Sequence, residues 1–176
     1  MDIDKKNISY NEINGSVCLN PLYICKDIER YILETIKQNY CNKCDVKFGL
    51  ILDVDKKIKS YTTKISNTNS SIIVYFNIEA YTINPKIGDI IYGKCEITDR
   101  GVFIDVAPSI KCLISNRYYD KDIKFVIESD IKMLKYKNGK IFIKDGDIIN
   151  SQVKVIRFTK KNNISRIDII GEGINI

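Results

Sequence analysis

From Pro85 onward the chain is a succession of short alternating runs, and this constrains its fold more than any other feature. Proline restricts the residue before it and cannot donate into a sheet ladder, so Pro85 ends whatever precedes it. In "PKIGDIIYGKCEITDRGVFIDV", Ile91, Cys95 and Ile97 fall on one strand face and Tyr92, Lys94, Glu96 and Thr98 on the other, with Arg100-Gly101 as the turn. On the return strand Val102, Ile104 and Val106 point inward, which leaves Phe103 and Asp105 outward. "SIKCLIS", "NGKIFIKDGD", "INSQVKVIRF" and "ISRIDIIG" follow, each bounded by glycine, asparagine or charged turns. About five short antiparallel strands of this kind predict a small closed Greek-key barrel, of which the OB-fold is the nucleic-acid-binding example. The echo between "IGDIIYGKCEI" and "DGDIINSQVKV" places Gly88 and Gly146 at strand starts, where glycine relieves a barrel corner.

The part before Pro85 reads differently. "NPLYICKDIERYILETIKQNY" opens on Asn20-Pro21 and repeats Ile24, Ile28, Ile32, Ile36 and Tyr40 at i+4, one amphipathic helix. "VKFGLILDV" aligns Val46, Phe48, Leu50, Leu52 and Val54 on one strand face, and "IIVYFNIEAYTI" does so with Ile72, Val74, Phe76, Ile78 and Ala80. Between them, "KKIKSYTTKISNTNSS" (residues 56–71) has no strong period and reads as a projecting loop suited to a partner contact. The expected organisation is an α+β domain over 1–84, a small sheet with one main helix, and a barrel over 85–176.

Composition narrows the chemistry. The chain has no histidine, which removes the usual general base, triad partner and metal ligand. It has no GxxxxGK[ST], GxGxxG or HExxH motif, so a stand-alone enzyme is disfavoured. No apolar run approaches the roughly 18 residues of a membrane span, and the N-terminus carries acids where a secretory leader would be apolar, so a soluble protein in a reducing compartment is expected. Cys18, Cys95 and Cys112 lie in apolar or alternating segments and read as packed free thiols; "CNKC" at Cys41 to Cys44 is only half of a zinc site. Of the net charge of +6, residues 1–85 carry +1 (eleven basic, ten acidic) and 86–176 carry +5 (seventeen, twelve). An outward Phe103 with Lys94, Arg100, Lys111, Arg117 and Tyr118 near it, and Arg157, Lys160 and Lys161 farther along, fits a single-strand groove in which bases stack on aromatics between cations. A covered or singly exposed phenylalanine is the plain alternative.

Over nearly its whole length the chain resembles the stalk subunit of eukaryotic and archaeal DNA-dependent RNA polymerases, the seventh subunit of polymerase II and its archaeal counterpart. The likeness lies in "LNP" before the helix, "CDVKFGLILDV" after it, and "VYFNIEAYTINPKIGDIIYGKCEITDRGVFIDVAP", with Asp89 where the family usually has Glu and Ala107 where it has Gly. "CLISNRYYDKDIKF" and "IDIIGEG" fall in step. The resemblance implies a tip domain that docks on the polymerase clamp, here through Lys47, Phe48, Gly49, Lys59 and Tyr61. It also implies an OB barrel of the ribosomal S-one type that meets emerging RNA, a smaller helical partner subunit, no cofactor, no membrane contact and no catalytic residues. Nuclear location follows, or a cytoplasmic viral factory and the virion if the chain is virus-encoded, since richness in Ile, Lys and Asn suits an AT-rich virus or protist. The alternatives are a free-standing single-stranded RNA-binding module in translation or RNA decay, and a protein-binding module that uses the same outward face.

Overall fold

The computed structural model describes residues 5–23, 27–66, 71–118, 122–161 and 164–175. The chain forms two compact units, Ile8–Asn84 and a second that starts at Pro85 and includes Lys5–Asn7. The latter stretch departs from the expected 1–84 boundary for a local reason. Asn7 Nδ2 donates to the Tyr92 carbonyl at 2.6 Å, the Tyr92 N–H donates to Asn7 Oδ1 at 3.0 Å, and Lys6 Nζ lies 4.5 Å above the Tyr92 ring.

The first unit is a four-stranded antiparallel sheet backed by one helix. Its strands are β1 (Ser9–Leu19), β2 (Lys43–Asp45), β3 (Gly49–Ile65) and β4 (Ile72–Ile83), in the order β1-β4-β3-β2. Helix α1 spans Ile28–Tyr40 and buries Ile32 and Ile36 completely against Val17, Val74, Phe76 and Ile78 of the sheet. Burial of each isoleucine side chain contributes about 1.5–3 kcal/mol. The helix starts later than Asn20-Pro21 implied; Asn20 Oδ1 instead accepts the Leu22 N–H at 3.0 Å and supports a separate 3-10 turn, Pro21–Tyr23. Ile24 lies outside the described residues. At the other end, the Tyr40 hydroxyl donates to the Ser16 carbonyl and accepts the Ser16 N–H, pinning the helix to β1.

Three expectations for this unit are corrected. The face of β4 is as read, with Ile72, Val74, Phe76, Ile78 and Ala80 buried. On β3, an irregularity between Ile51 and Asp53 breaks the alternation, so Ile51 and Val54 share the core while Val46, in the turn before β3, is 75 % exposed. Residues 56–65 are not a loop: they continue β3 and pair with β4 as far as Ile65–Ile72. Residues 67–70 lie outside the described residues. Strand β1 carries too many polar residues for a periodic signal, and Cys18 on it is exposed, not packed as expected, because Val17 and Leu19 take the core side.

The second unit holds a closed five-stranded barrel built from β5 (Ile90–Thr98), β6 (Gly101–Ala107), β7 (Ile110–Ser115), β11 (Ile148–Lys161) and β12 (Ile164–Asn175). The order around it is β5-β6-β7-β12-β11 and back to β5. Ile91, Cys95, Ile97, Val102, Ile104 and Val106 point inward as expected. One pairing does not follow the all-antiparallel expectation: β12 runs parallel to β7. Between β7 and β11 lies a three-stranded antiparallel sheet, β8 (Ile123–Glu128), β9 (Ile131–Tyr136) and β10 (Ile141–Lys144), so "NGKIFIKDGD" supplies no barrel strand.

The two Gly-Asp-Ile-Ile segments close the barrel as a matched pair. Gly88 (φ +96°) and Gly146 (φ +93°) take the left-handed conformation at the turns before β5 and β11, the two strands that join antiparallel. Asp89 Oδ2 accepts the Lys86 N–H at 2.8 Å, and Asp147 Oδ2 accepts the Lys144 N–H at the same distance. Gly88 N donates to the Val153 carbonyl and Val153 N to the Asp89 carbonyl; Gly146 N donates to the Cys95 carbonyl and Cys95 N to the Asp147 carbonyl. In each case the partner lies six residues beyond the other turn's aspartate, so a local two-fold relates the halves. Asp89→Ala and Asp147→Ala should therefore lower the unfolding free energy by similar amounts, about 1 kcal/mol each, read from urea unfolding; strongly unequal losses would show that the two turns do not share the strain of closure.

Candidate nucleic-acid interface

The pairing registers sort the barrel's outward side chains into rows. One row runs Lys94 (β5), Asp105 (β6), Lys111 (β7), Asp168 (β12) and Arg157 (β11), alternating in charge around the barrel. Much of it neutralises itself: Lys111 Nζ lies 3.0 Å from Asp105 Oδ1, and Asp168 Oδ2 takes Arg166 Nε at 3.2 Å and the Thr159 hydroxyl at 3.0 Å. The adjacent row is Glu96, Phe103, Leu113, Ile170 and Val155. Phe103 is half-buried, with Val102 and Ile104 on either side of it in the core, so its ring lies on the outside of the barrel. It does not stand alone. Leu113 adjoins it, and Ile170 and Val155, 42 % and 49 % exposed, extend an apolar band across four strands. Sequence reasoning missed those three because membership of a row depends on register, and the register around β12 follows from a parallel pairing that no local signal announces.

Cations lie at both ends of the band. Arg100, in the β5–β6 turn, and Arg117, in the 3-10 turn Asn116–Tyr118 after β7, come together because Asn116 N donates to the Arg100 carbonyl at 3.1 Å and Asn116 Nδ2 to the Asp99 carbonyl at 3.0 Å. Both arginines are exposed, and neither forms an ion pair among the described residues. Because β7 and β12 are parallel, the turn between β11 and β12 lies at the opposite end. There Arg157–Lys161 pairs with Ile164–Asp168. Lys160 is exposed there, but it lies three positions beyond Arg157 on the strand, so the two occupy opposite faces and do not form one patch. Of the expected cation set, Lys94, Arg100, Arg117, Arg157 and Lys160 remain without an ion-pair partner among the described residues, while Lys111 is engaged.

The residues expected at the clamp contact divide in the same way. Lys47, Phe48 and Gly49 form the turn from β2 into β3: Asp45 Oδ1 accepts the Lys47 and Phe48 N–H groups at 2.7 and 3.1 Å, and Lys47 Nζ lies 4.7 Å above the Phe48 ring. Gly49 has φ +74°, and a side chain there would strike the Ile83 carbonyl, so this glycine answers to the turn itself. Tyr61 packs partly into the core. Lys59 is committed elsewhere. Its ammonium lies 2.8 Å from Glu12 and 2.7 Å from Glu79, on the side of the sheet away from α1. Tyr10 donates its hydroxyl to Glu79 at 2.6 Å and Asp55 at 2.9 Å. The Lys59 bond, aided by Asn77, holds Glu12 below the usual carboxylate range; Lys59 and then Tyr10 do so for Glu79, and Tyr10 for Asp55.

Among the described residues no group of three or more His, Cys, Asp or Glu could hold a metal. Cys41 Sγ lies 4.0 Å from Asp53 Oδ1, which also pairs with Lys37 at 3.2 Å, and Cys44 is buried. Burial pushes the Cys112 thiol up to about 12, making it a packing group. Compared with protein-family models and with curated proteins, the chain matches none.

The carboxylate network yields a pH signature. Three carboxyls with depressed folded-state pKa values contribute stability that is fully present above their unfolded values, near 4, and is lost as pH falls through the folded ones. Lys59→Met should lower the thermal midpoint near neutral pH and flatten its fall between about pH 5 and pH 3, measured by calorimetry at low salt. An unchanged acid slope would exclude Lys59 as the hub.

Proposed function

We propose that the chain is a non-catalytic stalk-type subunit of a DNA-directed RNA polymerase, with an OB barrel of the ribosomal S-one type that contacts emerging single-stranded RNA. The observation that carries the reading is the barrel itself, five strands closed in a Greek-key order with Phe103 outward on its second strand. In an OB barrel the second and third strands, with the turns after the first and fourth, form the oligonucleotide face. In this chain those elements are β6 and β7, the turn at Arg100, and the β11–β12 hairpin. A base stacked on Phe103 would lie between the Arg100–Arg117 end and the Arg157 end, with phosphates following the unpaired cations. The first unit serves as the tip domain on the polymerase clamp, through the Lys47–Phe48 turn, and a smaller helical subunit completes the stalk. The nucleus or a viral factory is the corresponding location. A free-standing RNA-binding module would use the same face without polymerase.

The aliphatic neighbours of Phe103 favour a second reading. Leu113, Ile170 and Val155 have no π-face to offer a base, and an apolar band of this kind also suits a protein partner.

Recovery of the large polymerase subunits with the tagged chain from its native source, read by mass spectrometry, supports the stalk assignment, and their absence removes it. For the face, Phe103→Ala with Arg117→Ala should weaken binding of an unstructured RNA at least tenfold, given stacking worth about 1–3 kcal/mol, and should reduce the salt dependence by about one phosphate contact. Phe103→Leu separates the two readings: a stacking site loses affinity for RNA, whereas a protein-docking band keeps its partner.

A further inference from the structure

The three-stranded sheet between β7 and β11 has a free edge, and its chemistry is self-complementary. Strand β8 is the outer strand of that sheet and, among the described residues, pairs only with β9, in unbroken register from Ile123–Tyr136 to Glu128–Ile131. Natural sheets blunt such edges with proline, bulges, inward charges or an edge lysine. Proline and bulges are absent from Lys124-Phe125-Val126-Ile127-Glu128, and Lys124 is its one device of this kind. The strand has a cation at one end, an acid at the other and three apolar residues between. Phe125 and Ile127 share one face and are 36 % and 57 % exposed; Lys124, Val126 and Glu128 share the other.

Lys124 is also poorly served by its own sheet. The residue directly across from it on β9 is Lys135, a like charge, and Lys135 takes Glu128 as its ion partner. Lys124 is exposed and has no ion-pair partner among the described residues, which leaves it open to an acid from the free side.

We infer that β8 pairs antiparallel with β8 of a second copy of this chain, across a two-fold axis at Val126. That register sets Lys124 of each chain opposite Glu128 of the other, and Phe125 opposite Ile127 on the apolar face. Antiparallel self-pairing gives Lys124 an acid, with Glu128 then shared between it and Lys135, whereas a parallel pairing would stack like on like. A local two-fold perpendicular to the sheet keeps each face continuous, so two three-stranded sheets become one of six strands with an isologous joint. The joint is short, and its affinity is correspondingly low, with a dissociation constant on the order of 10⁻⁴ M for an interface below about 1,200 Å². This inference is independent of the proposed function, which concerns the barrel's outer face.

Sedimentation velocity on the full chain over a concentration series tests it. The unaltered chain should pass from monomer to dimer, while Lys124→Glu and Glu128→Lys should each stay monomeric, because each sets like charges opposite one another at both ends of the joint. Equimolar mixing of those two variants should restore a dimer, since an all-acidic edge then meets an all-basic one; circular dichroism verifies that both are folded. Phe125→Pro should abolish association by removing a backbone donor that faces the open side, the even-numbered residues of β8 being those that bond to β9. A chain that stays monomeric throughout, a dimer indifferent to both charge changes, or variants that fail to associate on mixing would each overturn the inference. Capture of a different protein's strand by a chain that does not pair with itself is one form of the first result.

Discussion

Closure of the barrel by the β5–β11 pairing is the constraint on which the second unit depends. An open sheet of β5, β6, β7, β12 and β11 would leave two long edges, and its outward rows would carry no fixed relation to one another. The closing ladder is held at both ends by the same device, a left-handed glycine followed by an aspartate that bonds back to the residue three before it. Each turn then reaches across to the opposite strand through a reciprocal pair of backbone hydrogen bonds. The interior is filled by β-branched residues and by Cys95 and Cys112, small enough to lie where strands converge. Closure thereby fixes which outward residues become neighbours.

Much of this was legible in the sequence, and the unread parts have a common cause. Strict alternation from Ile91 to Val106 located the first hairpin and set Phe103 outward, since period two survives wherever one face is fully buried. The isoleucine repeat located α1, although its first turn came later than Asn20-Pro21 suggested. What the sequence hid was non-local. The polar stretch 56–65 is a strand because β4 pairs with it, and its lysines reflect an edge position beyond the reach of β2. The parallel β7–β12 pair and the inserted β8–β10 sheet depend on contacts among distant segments, which propensity does not encode. The candidate site divides along the same line: Phe103 and the arginines were readable, whereas the Leu113–Ile170–Val155 band and the pairing of Lys111 required the register.

Electrostatics separates ornament from opportunity on these surfaces. Lys59 and Lys111 look like free cations in the sequence, yet each already faces a carboxylate at about the distance of a good hydrogen bond. Arg100 and Arg117 come from different loops, meet through Asn116 and form no ion pair among the described residues. A net charge of +6 is therefore a poor guide to where a polyanion would lie. The useful quantity is the charge left over after local pairing, which beside the apolar band comprises Lys94, Arg100, Arg117 and Arg157 against Glu96.

The parallel contact between β7 and β12 also bears on how the molecule comes into being. Strand β12 lies between β7 and β11, so it is a stave in the wall of the barrel, and no arrangement of the earlier four strands can seal the gap it fills. During synthesis the first unit is complete once β4 has emerged, and its helix and sheet can consolidate at once. The barrel strands must wait, with their isoleucines uncovered, until the ribosome has released the segment around Ile167 to Ile170. For that interval the nascent chain carries a finished head and an unsealed body, which makes the second unit the natural client of a chaperone.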